Sequence, residues 1–270
     1  MFRNLAAMFV CATSLLGVPT HAVDALLFVS PLRVEIPSGQ DTSVITVTNK
    51  SDTVKHYVVQ LTDQTMNSQG VTETAEDFAY SSKRMLRFMP RRITLEPGQR
   101  QAVRIMARRP AGLAEGDYHT HLLFEEQLAQ NIVSTTQTSA TTKGVEFKIG
   151  ALFGVAIPVV VQHGVVSSSL AMGIASFTSP TDASPRAVLV PFTRTGNAEA
   201  TAMLTVTTPE GTNLISPRRV RVYREADAVV LNLPLTPEGM AYQGLATVKL
   251  AEPATDKAPE TVYQMGTLAF

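Results

Sequence analysis

Cysteine is almost missing from this 270-residue chain; its one copy, Cys11, falls inside the first apolar run. If that run is removed on export, thiolate catalysis, cysteine-ligated zinc and disulfides are all excluded from the mature protein. Tryptophan is absent and aromatics make up only 6% of residues, which argues against the exposed aromatic platforms that bind sugars or stack bases. Neither sign of charge is in excess, with 23 basic and 23 acidic side chains, so no global field would concentrate nucleic acid or an anionic membrane. No G-x-S-x-G, Walker, dinucleotide or H-E-x-x-H pattern occurs, so no catalytic residue, cofactor or metal ligand set is assigned and the chain is not expected to be an enzyme. What is present is enough apolar material, 44% of residues, to bury one large core or two of ordinary size.

The first residues have the layout of an export signal. Arg3 supplies a positive start, Leu5 to Val18 is largely apolar, and Thr20-His-Ala22 ends in a small residue suited to cleavage. That run falls short of the roughly 20 residues a spanning helix needs, so residues 1–22 are expected to leave and no membrane insertion is expected afterwards.

From there the chain reads as strands and turns. Leu26 to Ile36, Ser43 to Thr48, His56 to Thr62, Ile93 to Leu95, Gln101 to Met106 and Tyr118 to Phe124 are short β-branched or apolar stretches. Gly, Pro, Asn and Ser clusters such as Pro37-Ser-Gly39 and Pro97-Gly98 divide them. The second half repeats the style, with Arg186 to Thr193, Ala202 to Thr207, Val220 to Tyr223, Val229 to Leu233 and Ala246 to Leu250. This spacing predicts an all-β protein of two antiparallel sandwiches without long helices. The break is placed at Gln162-His-Gly164, giving domains 23–161 and 162–270.

One stretch stands apart. In Gly144 to Pro158 the odd positions Val145, Phe147, Ile149, Ala151, Phe153, Val155 and Ile157 are all apolar, and the uncharged polar run Ala129 to Thr142 leads into them. Such alternation makes a strand with one strongly apolar face. It predicts either an internal strand of its own sandwich or a strand whose face and edge are offered to another protein, the polar run serving as a mobile tether. Gly150 and Gly154 weaken the purely internal reading.

Three other features were weighed. His119 and His121 would share one face of a strand, either as a candidate metal pair or as part of a solvated sheet face beside Tyr118. Glu125 and Glu126 would point to opposite faces, which excludes shared acid–base work. From Lys83 to Arg109 nine basic residues face the single acid Glu96; these are either exposed residues of two strands or a basic groove for a partner's carboxylate.

The order Arg33-Val-Glu-Ile36, Val44-Ile-Thr-Val-Thr-Asn49, Leu95-Glu-Pro-Gly98, Val103-Arg-Ile105, Glu115-Gly-Asp-Tyr-His-Thr-His121 and Val155-Ala-Ile-Pro158 resembles the periplasmic pilus-assembly chaperones of the chaperone–usher pathway. The likeness runs from about residue 25 to the end and is closest to the archaic branch, associated with spore-coat-like pilins. It implies two immunoglobulin-like β-sandwich domains in a boomerang arrangement, with the last strand of the first donated to an incomplete pilin subunit. The subunit would then pass to an outer-membrane usher. Pilins and usher are the implied partners, the periplasm the implied location.

The resemblance also assigns residues. Arg33, sixteen positions before Asn49, matches the cleft arginine that anchors the client's terminal carboxylate, a task suited to the guanidinium fork. The family's second anchor is a lysine on the last strand of domain one, where this chain has Phe153. Lys148, Arg91 and Arg92 are the substitutes, Arg92 being favoured because it immediately precedes Ile93-Thr-Leu95. Tyr118 fits the tyrosine corner of a sandwich. Pro158 is expected to close the donor strand and set the hinge. A secreted adhesion or carbohydrate-binding module is the alternative reading.

Overall fold

The computed structural model describes residues 27–127, 153–178, 186–254 and 258–270. The leader 1–22, the run Ala129 to Thr142, the donor positions Val145, Phe147, Ile149 and Ala151, and Lys148 lie outside the described residues.

In chain order the first half forms β1 (Leu27–Ser30), β2 (Val34–Ile36), β3 (Thr42–Asn49), β4 (Lys55–Thr62), β5 (Gln64–Met66) and β6 (Thr72–Thr74). It continues with β7 (Leu86–Met89), β8 (Arg92–Leu95), β9 (Arg100–Ala107), β10 (Gly116–Gln127) and β11 (Gly154–His163). Two sheets, ordered β1-β3-β9-β7 and β2-β11-β10-β4-β8, face each other. The alternation of their strands sends Ile45, Val47, Val103 and Ile105 from one sheet and Ile36, Leu95, Leu122 and Phe124 from the other into one core. Buried Asn49 is satisfied within it, its amide donating to the carbonyls of Thr53 (2.7 Å) and Leu95 (2.9 Å).

The second half forms β12 (Ser168–Met172), β13 (Ser176–Phe177), β14 (Ala187–Gly196), β15 (Ala200–Thr207), β16 (Arg218–Val222) and β17 (Ala228–Pro234). After the short helix α1 (Pro237–Ala241) come β18 (Leu245–Glu252) and β19 (Thr261–Ala269). One sheet is ordered β12-β14-β13 with β17 also on β14, the other β16-β15-β18-β19. A separate core lies between them, built on Val188, Phe192, Leu204, Leu214, Val248 and Leu250. The all-β expectation of two sandwiches holds.

Several boundaries differ from the sequence reading. Leu26 to Ile36 is not one strand: it breaks at Pro31, and β1 joins one sheet while β2 joins the other. A proline cannot donate to a ladder, so a crossing between sheets is where it is tolerated. The β5–β6 hairpin, β7, β12 and β19 went unread, because they are short or alternate weakly. Pro237-Glu-Gly239, a cluster of the kind expected to form a turn between strands, instead starts α1, with the Gly239 N–H donating to the Thr236 hydroxyl at 3.0 Å.

Candidate functional site

β11 is two strands' worth of environment in one. Along its whole length it pairs antiparallel with β10, from Gly154 opposite Glu125 to His163 opposite Gly116. Its other edge carries parallel β2, but only over Val159, Val160 and Val161. The Glu126 N–H donates to the Phe153 carbonyl at 3.0 Å. Backbone groups alternate along a strand, so those of Val155 and Ile157 also point to β10, while those of Gly154 and Ala156 point to an edge that carries no strand among the described residues. Pro158 stands on that edge with no N–H to offer, one residue before β2 begins. The expectation that Pro158 closes the strand is therefore corrected: β11 runs on to His163, because Val159 to Val161 gain β2 as a second neighbour.

Side chains follow the same gradient. Val159 and Val161 are fully buried and Ile157 is 2% exposed, all within the first core. Val155 is half-buried against that core, and Phe153 is 49% exposed. Ile157, expected on the donor face, thus fills its own sandwich, and of the described residues of that alternation Phe153 and in part Val155 are left exposed.

Arg33 continues this line. Val34 pairs with Val159, so Arg33, one residue earlier, stands level with Pro158 at the mouth of the open edge. With Val34 and Ile36 turned into the core, Arg33 and Glu35 lie on the opposite face. There the Arg33 Nε donates to Glu35 Oε1 at 2.9 Å and Nη2 meets Glu199 Oε1 at 2.5 Å. The Arg221 Nε lies 3.3 Å from the same Glu199 oxygen, so one carboxylate oxygen of the second sandwich sits between two guanidiniums. Arg33 Nη1 is buried without a hydrogen-bond partner. Burial would lower the Arg33 pKa, but the Glu199 and Glu35 carboxylates outweigh it and raise the value above the ordinary one.

The histidines lie on the same face of the sheet. His119 is opposite Val160 and His121 opposite Pro158, and both are buried, so the solvated-face expectation is corrected. The second sandwich covers them: His119 stacks on Tyr223 with ring centres 4.4 Å apart, and its Nε2 lies 2.9 Å from Glu225 Oε2. Burial, with His119 nearby, pushes the His121 imidazole down to about 4. Asp117 is raised mainly by burial, while Glu225 is lowered because its bond to His119 and other hydrogen bonds exceed its burial cost. Among the described residues no group of three or more His, Cys, Asp and Glu is placed to hold a metal.

The other expected anchors are not brought here. Arg92 and Arg91 stand at β8, the far edge of the sheet from β2. Four strand spacings of about 4.8 Å put that edge on the order of 19 Å from Arg33, too far for one carboxylate to bridge. The expectation for Arg92, and with it Arg91, is corrected on that ground. Of the basic run, Arg109 is structural, its guanidinium bonding the carbonyls of Ile36, Pro37, Gln40 and Gln162 and the Asp41 carboxylate. Tyr118 makes its corner bond, the hydroxyl donating to the Ala114 carbonyl at 2.9 Å. Sequence reasoning missed Glu199, Arg221, Tyr223 and Glu225, since no local pattern marks a residue whose role depends on the other sandwich. A groove of about 670 Å³ lined by Asp117, Glu199, Glu252 and Gln264 among others is polar and does not include Arg33 or Phe153.

No family model and no curated protein matches the sequence. Solved structures do. The chain is similar to one in the CsuC–CsuE chaperone–tip adhesion subunit pre-assembly complex of the archaic chaperone–usher Csu pili of Acinetobacter baumannii, with a TM-score of 0.51 at 9% identity, covering 88% of this chain and 98% of that one. A chain of the Salmonella enterica SafA pilin–SafB chaperone complex aligns with a TM-score of 0.45 at 12% identity, covering 90% and 96%. The Escherichia coli chaperone DraB aligns with a TM-score of 0.45 at 11% identity, covering 90% and 98%. The likeness to the Acinetobacter structure is one of fold: both are all-β chains, this one of two sandwiches.

Proposed function

We propose that this protein is a periplasmic chaperone that holds incomplete pilin subunits by donor-strand complementation and delivers them to an outer-membrane usher. It acts without a cofactor and is not an enzyme. The observation that carries the reading is the open edge of β11 at Gly154 to Ile157, which ends where β2 and Arg33 begin. A client strand added there in line with β2 would run parallel to β11 and terminate at Arg33. Its terminal carboxylate would meet the partnerless Nη1 of that side chain. Upstream, the alternating residues Val145, Phe147, Ile149 and Ala151 continue the face of Phe153 in sequence, and each large apolar group buried in a client groove would contribute roughly 1.5–3 kcal/mol before ordering costs. Lys148 is the remaining candidate for a second anchor on this strand. The two cores support a division near residues 161–162, and export would remove residues 1–22.

The test is co-expression of the exported protein with a strand-deficient pilin subunit, scored by recovery of a soluble one-to-one complex. Wild type is expected to rescue the subunit, and Arg33→Ala and Phe153→Asp to lose most of that recovery while staying folded. Recovery unchanged by both substitutions would leave the reading without its mechanism, and failure of wild type across several subunits would favour a secreted adhesion or carbohydrate-binding module.

A further inference from the structure

On the side of the first sandwich away from β11, two sheet edges stand open to each other. β4 pairs with β8 only over Lys55 to Val58, and the last contact on that side is the Val59 N–H donating to the Arg91 carbonyl at 2.8 Å. By strand alternation the backbone N–H and C=O of Leu61 point the same way, past the end of β8. Across the gap lies β7, the terminal strand of the other sheet. The Arg108 N–H donates to the Met85 carbonyl, so Met85, Arg87 and Met89 turn their backbone groups to β9, and those of Leu86 and Phe88 face the gap. The Leu86 carbonyl is capped by the Arg87 guanidinium at 2.8 Å. Phe88 has no such cap.

The gap is a groove of about 250 Å³ with Val59, Leu61, Leu86 and Phe88 along its apolar wall and Lys83, Arg87 and Arg91 on its rim. Arg91 lies over the Phe88 ring, 5.6 Å from its centre. Among the described residues no carboxylate forms an ion pair with any of the three rim cations, although Lys83 also lines a neighbouring pocket with Asp63 and Asp77, and Glu125 accepts a hydrogen bond from the lining residue Gln60 at 3.1 Å. The positive field extends onto the outer face of the β7 sheet, where Arg104 lies between exposed Val44 and Met89, and Arg87 beside exposed Met106. A chain with balanced charge has thus concentrated unpaired cations around one apolar slot.

We propose that this slot is a docking groove for an extended acidic peptide carrying apolar side chains at alternate positions. Such a segment fits all three properties of the site. Its backbone can pair with the edges at Leu61 and Phe88, one row of side chains can enter the apolar wall, and its carboxylates can meet Lys83, Arg87 and Arg91. The chain's own residues 128–152 do not complement this charge, holding one acid, Glu146, against Lys143 and Lys148. A flat membrane surface would use the cations but not the narrow gap between two strand edges.

The experiment titrates the full exported chain with a fluorescent peptide of alternating glutamate and valine, acetylated and amidated so that it has no terminal carboxylate for Arg33. A lysine-for-glutamate version and vesicles containing phosphatidylglycerol are titrated alongside. Expected are at least tenfold tighter binding of the acidic peptide than the basic one and at least tenfold weakening in the double variant Arg87→Glu with Arg91→Glu. Arg218→Glu, on the second sandwich, should leave binding unchanged, and amide exchange at Leu61 and Phe88 should slow when peptide is bound. Equal binding of both peptides, insensitivity to the double charge reversal, unchanged exchange at those amides, or binding of vesicles but not peptide would each overturn the proposal.

Discussion

The two ends of β11 have nearly the same composition and opposite fates. Val159 to Val161 have a strand on either side and are buried, Val159 and Val161 in the core and Val160 on the other face; Gly154 to Ile157 have one neighbour among the described residues, and along them burial falls from Ile157 through half-buried Val155 to half-exposed Phe153 just upstream. Hydrophobicity does not distinguish them. The cover over each end does, since an apolar side chain is core only where the facing sheet closes over it, and that cover fades from Ile157 through Val155 to Phe153. A strand that changes from paired to unpaired along its length can be anchored and offered at once.

The sharpest way to break that comparison is to place one charge at each end. Val159→Asp should cost more than about 4 kcal/mol, through a buried carboxylate with no partner, and unfold the first sandwich in thermal and urea melts. Phe153→Asp should change the stability of the free chain by no more than about 0.5 kcal/mol. Similar losses at both positions would mean that the open end is closed in solution.

Removing methylenes tests the point where one end becomes the other. Ile157→Ala should cost about 2–4 kcal/mol in urea unfolding, as expected for a filled core site, whereas Val155→Ala, half-buried, should cost about 1 kcal/mol. Equal values would move the boundary towards Phe153.

Acid should act on the closed end, since His121 and His119 lie opposite Pro158 and Val160. With His121 at about 4 when folded and near 6.5 when unfolded, the unfolded chain takes up the proton first, so stability is full above pH 6.5 and falls as pH drops towards 4. His121 alone should remove about 3 kcal/mol over that window. Glu225, held low, adds to the loss below the ordinary carboxylate range, and Asp117, held high, opposes it. His121→Gln should flatten the profile, measured as urea midpoints from pH 7 to 4. An unchanged slope would show that His121 is not the group responsible.

The smallest effect belongs to the open end. A Cβ on Gly154 would meet the Leu123 Cδ1 at 3.3 Å, the tip of a side chain that can give way, and the Phe124 carbonyl oxygen at an ordinary 3.7 Å. Gly154→Ala should therefore shift the melting midpoint by no more than an amount equivalent to about 0.5 kcal/mol.

The sandwich class was legible because Ile45 and Val47, or Leu122 and Phe124, recur at period two between Gly, Pro and Asn turns, and that period survives folding unchanged. Arg33 was singled out by the family resemblance through its spacing from Asn49, and it lies one residue before β2. Its partners were not, because Glu199 and Arg221 reach it only through the packing of one sandwich on the other. Arg92 misled for a related reason: nearness in sequence to a likely strand says nothing about which edge of the sheet that strand will occupy. Ile157 misled because one alternating pattern continues from exposed Phe153 into the core without a mark in the residues.

Pro158 gives the open edge a fixed end. A visiting strand finds amide donors at Gly154 and Ala156, none at Pro158, and the backbone of β2 in its path from Val159 onwards. A strand docked as proposed would slide in only until that stop, so the edge would set register as well as pairing. A segment arriving one residue too deep would collide with Val34, and one too shallow would leave its last carbonyl short of Arg33. Of all the ways two strands might align, the position of one imino acid leaves a single depth at which the visitor's end and the arginine coincide.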